Sequence, residues 1–216
     1  MTRILVADDH DIMRRGIREL LETQQGWEVC AEASTGRQAV ELAVKLKPDI
    51  AILDIGMPEL NGLDAARQIK KSAPRTEVLI FTMHESEQLV REVLSAGALG
   101  YVLKSDAARH LVSAVEALSQ HKPFFSAKVS ETVLDGFLKS GASPEEAEAA
   151  VGRLTPRERE IVQLLAEGKS NKEVAAALGI SVKTAETHRA AVMRKLELKS
   201  LADLVRYAIR NKIAEA

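Results

Sequence analysis

Through the first half of the chain, short apolar, β-favouring runs alternate with longer stretches whose apolar positions recur every three to four residues. The runs lie at 4–7, 28–33, 50–53, 78–81 and 101–103, and the helical patterns at 11–23, 36–46, 63–72, 86–95 and 107–120. Five strand–helix repeats with short connections predict an α/β fold, a doubly wound five-stranded parallel sheet covered by helices on both faces. In such sheets functional residues gather beyond the carboxyl ends of the strands. The second half holds no comparable strand. Residues 124–152 read as a short helix, then Ser-Gly-Ala-Ser-Pro and an acidic Ala/Glu run, which makes 123–151 a partly helical linker. Beyond it the helix signals are strong. Thr155-Pro156-Arg157-Glu158 and Ser170-Asn171-Lys172-Glu173 each set a capping residue three positions before a glutamate. Gly179 separates a helix at 171–178 from one at 182–196, and Ser200 caps a last helix to about 211. The expected domains are therefore 1–122, and 152–216 as a small all-α four-helix domain.

Composition sharpens this picture in two ways. The chain's 216 residues, 46% hydrophobic and 28% charged, are enough for two cores, and one cysteine, Cys30, excludes an internal disulfide. No run approaches the roughly eighteen apolar residues of a membrane span, and Asp8 and Asp9 arrive too early for a signal peptide. A cytoplasmic protein with no membrane partner is expected. Charge is segregated: Lys+Arg against Asp+Glu is 15 against 18 over 1–123, 2 against 5 over 124–152, and 13 against 8 over 153–216. These differences, −3, −3 and +5, sum to the overall −1. An acidic module that could hold a cation is thus joined to a basic one that could meet a polyanion.

Asp8 and Asp9 follow the first strand, while Asp54, Thr82 and Lys104 end the third, fourth and fifth. All five are expected at one rim of the sheet. Crowded carboxylates repel unless a cation sits among them, and hard oxygen ligands point to Mg²⁺. Beside that metal an ammonium and a hydroxyl could bind phosphoryl oxygens, with Asp54 as the nucleophile of an acyl phosphate. Over residues 2–121 the sequence resembles the receiver domain of two-component response regulators, a flavodoxin-like fold. The match runs through Asp8-Asp9, Asp54-x-x-Met57-Pro58-x-x-x-Gly62, Thr82, Tyr101 and Lys104 in order. The resemblance implies Asp54 as phosphoacceptor, with Lys104 and Thr82 assisting. It also implies Mg²⁺ on Asp9 and Asp54, with help from Asp8 and the Gly56 carbonyl, and a switch formed by Thr82 and Tyr101.

A basic module of short helices with a glycine turn points to a helix-turn-helix. With Ala185 at the centre of the buried stripe, a 100° step places Val192 and Leu196 beside it and Lys183, Thr187, Ala190 and Arg194 opposite, with Glu186 at the edge. The segment resembles the LuxR-type helix-turn-helix of the NarL/FixJ subfamily over about 152–214. Leu154 to Glu158, Gly168-x-x-Asn171-Lys172-Glu173-Val174-Ala175, Leu178-x-Ile180-Ser181-x-x-Thr184-Ala185 and His188 through Leu196 carry that match. It implies base contacts from Glu186, Thr187 and Ala190. Lys172, Lys183, Arg194 and Lys195 are candidates for phosphate, and Thr184 joins the DNA-facing set. For His188, packing and DNA contact compete evenly.

Together these features describe a phosphorylation-dependent transcriptional regulator. The expected partners are a sensor histidine kinase, double-stranded DNA with paired promoter half-sites, and a second copy of the chain. A phosphatase working through an aspartyl phosphate is the enzymatic rival. Haloacid-dehalogenase-type enzymes place a second Asp two residues after the nucleophile, and here Gly56 stands there, so no enzyme is expected. The other rival is a DNA-binding regulator whose receiver serves only as a protein-interaction platform.

Overall fold

In the computed structural model, which describes residues 1–83, 86–125 and 154–214, the chain divides into two compact units. Strands β1 (Thr2–Ala7), β2 (Trp27–Ala33), β3 (Ile50–Leu53), β4 (Glu77–Thr82), β5 (Gly100–Leu103) and β6 (Phe124–Phe125) form one sheet of order β2-β1-β3-β4-β5-β6. Every pairing is parallel. Between the strands run α1 (Asp11–Glu22), α2 (Gly36–Leu46), α3 (Gly62–Ser72) and α4 (Glu87–Ser95), and a 3₁₀ turn at Lys104–Asp106 leads into α5 (Ala107–Ser119). Alternation fixes the layers. Ile4, Val6, Ile50, Ile52, Leu79 and Phe81 pack one face against Ile17 and Leu21 of α1 and Leu111, Val115 and Leu118 of α5. The other strand positions face the opposite helices, so all four residues of β3 are buried and its sequence is continuously apolar. At roughly 1.5–3 kcal/mol for each fully buried large aliphatic side chain, this two-sided core dominates the unit's stability.

The sheet has one strand more than the sequence pattern gives, and it replaces the start of the helix expected from residue 124. The Phe124 amide donates to Leu99 O at 3.0 Å, and its ring packs on the core and lies 6.0 Å from the His110 ring. A free sheet edge and an apolar surface outweigh local helical preference here. The remainder of the expected linker, 126–151, and the first two residues of the expected terminal domain, 152–153, lie outside the described residues.

Side-chain caps start most helices of this unit. Thr35, Asn61 and Ser86 accept from the amides of Gln38, Asp64 and Leu89. Gly62 is required by space: a Cβ there would lie 1.9 Å from Asp54 O. The first turn of α3 is thereby pressed against the end of β3.

In the second unit, α6 (Pro156–Ala166), α7 (Asn171–Leu178), α8 (Val182–Lys195) and α9 (Leu201–Arg210) surround Ile161, Leu164, Val174, Ala185, Val192 and Leu204. Both capping boxes form, Thr155 with Glu158 and Ser170 with Glu173. Gly179 ends α7 at φ +64°, the left-handed conformation a side chain would resist. Among the described residues no helix is long and apolar enough to cross a membrane.

Candidate functional site

The parallel sheet delivers the predicted acidic residues to one rim. Lys104, only 4% exposed in its side chain, places Nζ 2.7 Å from Asp54 Oδ2 and 2.8 Å from Asp8 Oδ2. The first contact is a hydrogen bond. The second pairs the same ammonium with buried Asp8. Asp54 Oδ1 accepts from the Ile55 amide at 2.7 Å. The Arg14 guanidinium donates to Asp8 O, tying α1 to the end of β1.

Burial raises the Asp54 carboxyl above its ordinary value, more than the adjoining Lys104 ammonium lowers it, and Asp8 adds to the rise. Burial also opposes the Lys104 charge, but its contacts with Asp54 and Asp8 outweigh that and raise its pKa. Two carboxylates around one ammonium leave a net −1, and exposed Asp9 makes it −2. Such a set of hard oxygens fits a divalent cation. Asp8, Asp9, His10 and Asp54 each offer a donor atom, all within 4.8 Å of one another.

His10, which no sequence pattern marks, joins this cluster by its adjacency to the aspartate pair. Gly56 is half-buried in the loop after Asp54. Thr82 and Tyr101 are each 1% exposed. Ile80 pairs with Tyr101 and Thr82 with Leu103, so Thr82 and Tyr101 share a sheet face on adjacent strands.

On the helical unit, burial follows the predicted wheel. Ala185 and Val192 are buried; Lys183, Thr184, Glu186, Thr187, Ala190 and Arg194 are exposed; His188 and Arg189 are half-buried. Lys172 is exposed on α7. Two details were not legible beforehand. The Lys195 ammonium is 2.7 Å from Glu158 Oε2, spanning α8 and the start of α6, so it already holds a carboxylate. The Thr187 hydroxyl donates to Lys183 O at 2.9 Å, leaving its lone pairs and methyl to face outward chemistry. At about 1.5 Å per residue, α8's 14 residues span roughly 21 Å, enough to cross a major groove.

An acidic rim on a doubly wound sheet, followed by a capped helix-turn-helix with a basic outer face, defines a DNA-binding signalling protein of the response-regulator class. Residues 4–116 match the response regulator receiver domain, and residues 152–208 match the bacterial regulatory proteins of the luxR family. Oxygen regulatory protein NreC of Staphylococcus epidermidis is 37% identical over 216 residues, covering 99% of each chain. Transcriptional regulatory protein LiaR of Bacillus subtilis is 37% identical over 215 residues, again covering 99% of each. Among solved structures, the two-component response regulator RcsB in complex with DNA aligns with TM-score 0.59 at 28% identity, over 95% of this chain and 96% of that one. A LuxR-family response regulator from Aurantimonas sp. aligns with TM-score 0.61 at 34% identity, over 64% of this chain and all of the other. The chain belongs to the two-component response regulators of NarL/FixJ type, transcriptional regulators with a receiver domain and a LuxR-type helix-turn-helix, and not to an enzyme family.

Proposed function

We propose that this regulator is switched by phosphorylation of Asp54, with a sensor histidine kinase supplying the phosphoryl group as a phosphohistidine. The observation that carries this is the Lys104 ammonium held between Asp54 and Asp8, 2.7 and 2.8 Å away. Asp54 attacks phosphorus through a carboxylate oxygen as the phosphorus–nitrogen bond breaks, and the leaving imidazole takes up a proton. The Ile55 amide fixes the carboxylate's orientation. Lys104 offsets charge on the transferred group. Asp9 and Asp54, with Asp8 and the Gly56 carbonyl, would hold Mg²⁺, which when bound supplies charge neutralisation for phosphoryl transfer. The Thr82 hydroxyl then meets a phosphoryl oxygen and Tyr101 follows on the shared face, biasing a two-state surface.

On the output side, residues 152–216 read DNA and 123–151 join them to the receiver, residues 1–122. Glu186, Thr187 and Ala190 read bases, with Glu186 accepting from a cytosine N4. Lys172, Lys183, Thr184 and Arg194 position the helix on phosphates, and His188 supports it from the flank. Lys195 contributes to phosphate only by giving up Glu158. A homodimer engages paired promoter half-sites, since one module reads few base pairs. The protein works in the cytoplasm, where kinase domain and promoter are both reached.

The test has four arms: wild type and Asp54→Asn, each with and without acetyl phosphate and Mg²⁺. Intact-mass measurement is paired with binding to a selected DNA site. A phosphoryl mass gain on wild type alone, with tighter DNA binding only in that arm, is the expected result. Equal affinity in all four arms would instead make the receiver an interaction platform.

A further inference from the structure

We propose that the first turn of α6 is a two-point clamp on the reading helix, in which Arg157 holds the turn that enters α8 and Glu158 holds its last residue, Lys195, so that both act as positioning residues for sequence reading. This rests on α8 being the helix that reads DNA. The Arg157 guanidinium donates through Nη2 to Leu178 O and through Nη1 to Glu160 Oε2, each at 2.8 Å. Its neighbour Glu158 sets Oε2 2.7 Å from the Lys195 ammonium. Two adjacent residues of one helix therefore reach the two ends of another.

Arg157 is misplaced for its own helix. It stands in the first turn of α6, directly after Pro156, where the helix dipole favours acidic residues and disfavours a cation. Its charged head lies instead at the C-terminal end of α7, where the dipole favours it. Leu178 is the last residue of α7, and its carbonyl is one of the four that helix geometry leaves without an intrahelical donor. Arg157 supplies one. Between Leu178 and the N-cap Ser181 stand Gly179, at φ +64°, and Ile180, whose amide donates back to Ala175 O at 3.0 Å. A connection this short passes the placement of Leu178 O directly to the start of α8. Apolar packing fixes α8 less firmly, since its buried residues are Ala185 and Val192, small side chains whose burial is non-directional. Contacts at the two ends of a rod resist its tilting better than contacts at its middle, and tilt is what would carry exposed Glu186, Thr187 and Ala190 out of register with bases.

Full-chain wild type, Arg157→Met, Arg157→Lys, Glu158→Gln and Thr187→Ala are compared, with acetyl phosphate and Mg²⁺ present, over a range of salt. Each is bound to a duplex that wild type selects from a random pool, to its single-base variants and to a scrambled duplex of equal length. The ratio of selected to scrambled affinity is the readout, because a loss of folded protein lowers both alike. Glutamine keeps the capping box, so Glu158→Gln removes the ionic contact and spares the start of α6. The ratio is expected to fall about tenfold in Arg157→Met, the discrimination of roughly one base contact, and less in Arg157→Lys, whose ammonium keeps the charge without the fork. It is expected to fall in Glu158→Gln as well, where the salt slope does not flatten because Lys195 is then free to meet phosphate. A wild-type ratio in both Arg157→Met and Glu158→Gln would overturn the clamp. So would a salt slope flattened by about 0.9 in Arg157→Met, the mark of a direct phosphate contact. Thr187→Ala tests the reading beneath it: a preference changed at one base position supports α8 as the reading helix, and a uniform loss over all sequences overturns that reading and the clamp with it.

Discussion

Gly62→Ala tests the contact that locks Asp54, the proposed phosphoacceptor, in place. The added Cβ would lie 1.9 Å from Asp54 O, 2.8 Å from Asp54 C and 3.0 Å from Ile55 Cα. All three are backbone atoms, so no rotamer change relieves the clash. The Gly62 amide also donates to Ile55 O at 2.9 Å, which resists separation of the two segments. Restoring ordinary contact, near 3.5 Å, requires about 1.5 Å of movement between α3 and the end of β3. Overpacking of this kind costs roughly 1–3 kcal/mol, with the upper end expected because the neighbours are backbone. Displacing a reacting group by about 1 Å can cost on the order of a hundredfold in rate. Urea denaturation should therefore show a loss of about 2–3 kcal/mol, and phosphorylation by acetyl phosphate should slow by about two orders of magnitude under conditions where the variant is folded. Gly16→Ala is the matched control. Gly16 lies within α1 with nothing within 4 Å of its added Cβ, so alanine there should stabilise by about 0.5–1 kcal/mol. A Gly62→Ala protein as stable and as quickly phosphorylated as wild type would refute the reasoning.

Lys104→Met leaves Asp8 and Asp54 buried without their ammonium and should destabilise the protein by roughly 3–5 kcal/mol at pH 7. Urea midpoints at pH 7 and 4.5 should show part of that loss recovered at the lower pH, as the stranded carboxylates take up protons. Arg194→Ala should weaken binding to every duplex and flatten the salt dependence by about 0.9 in log–log slope. Lys195→Ala should flatten it less and cost at most about 1 kcal/mol of stability, because its partner is Glu158 and its side chain is 39% exposed. At Glu158 burial works to raise the carboxyl pKa, but the Lys195 pair and the Thr155 amide bond outweigh it and hold the value below ordinary. The resulting stabilisation is complete above the unfolded value of about 4.3 and disappears as pH falls through the lower folded one. Thermal melts of Glu158→Gln and wild type should therefore differ at pH 7, and the difference should shrink as pH falls below about 4.

The strands and helices of both units were legible because each buries a face whose period matches its geometry. β3 reads as a continuous apolar run since both its faces are covered, and α8 reads as a stripe through Ala185 and Val192 since only one is. Convergence of Asp8, Asp9, Asp54 and Lys104 followed from topology alone, because parallel strands end at one rim. What escaped depended on partners distant in sequence. Phe124–Phe125 is too short to show a period and becomes strand only because β5 offers an edge. Lys195 looked like a phosphate ligand by position, and only the packing of α8 beside the start of α6 reveals Glu158 opposite it. His10 carries no periodic signal at all, and its relation to the pocket comes from one backbone turn.

The charge arithmetic of the pocket shows how large a signal Asp54 could deliver if phosphorylated. A carboxylate of charge −1 becomes a phosphoryl group approaching −2, in a place where a single ammonium already serves two carboxylates. One additional unit charge about 4 Å from a cation is worth on the order of 4 kcal/mol at an effective dielectric of 20. Each factor of ten in an equilibrium takes about 1.4 kcal/mol, so that energy, if felt in one state only, corresponds to at most roughly a thousandfold shift. A surface populated about 1:99 in favour of its resting form would move to roughly 10:1 for the other, short of the ten-thousandfold needed for complete reversal. Any further bias must come from neutral groups at the ends of the adjoining strands, and Thr82 on β4, with Tyr101 on β5 sharing its face, is placed to contribute it. In the proposed switch, charge on β3 and β5 would set the size of the response, and the hydroxyl on β4 how nearly it is complete.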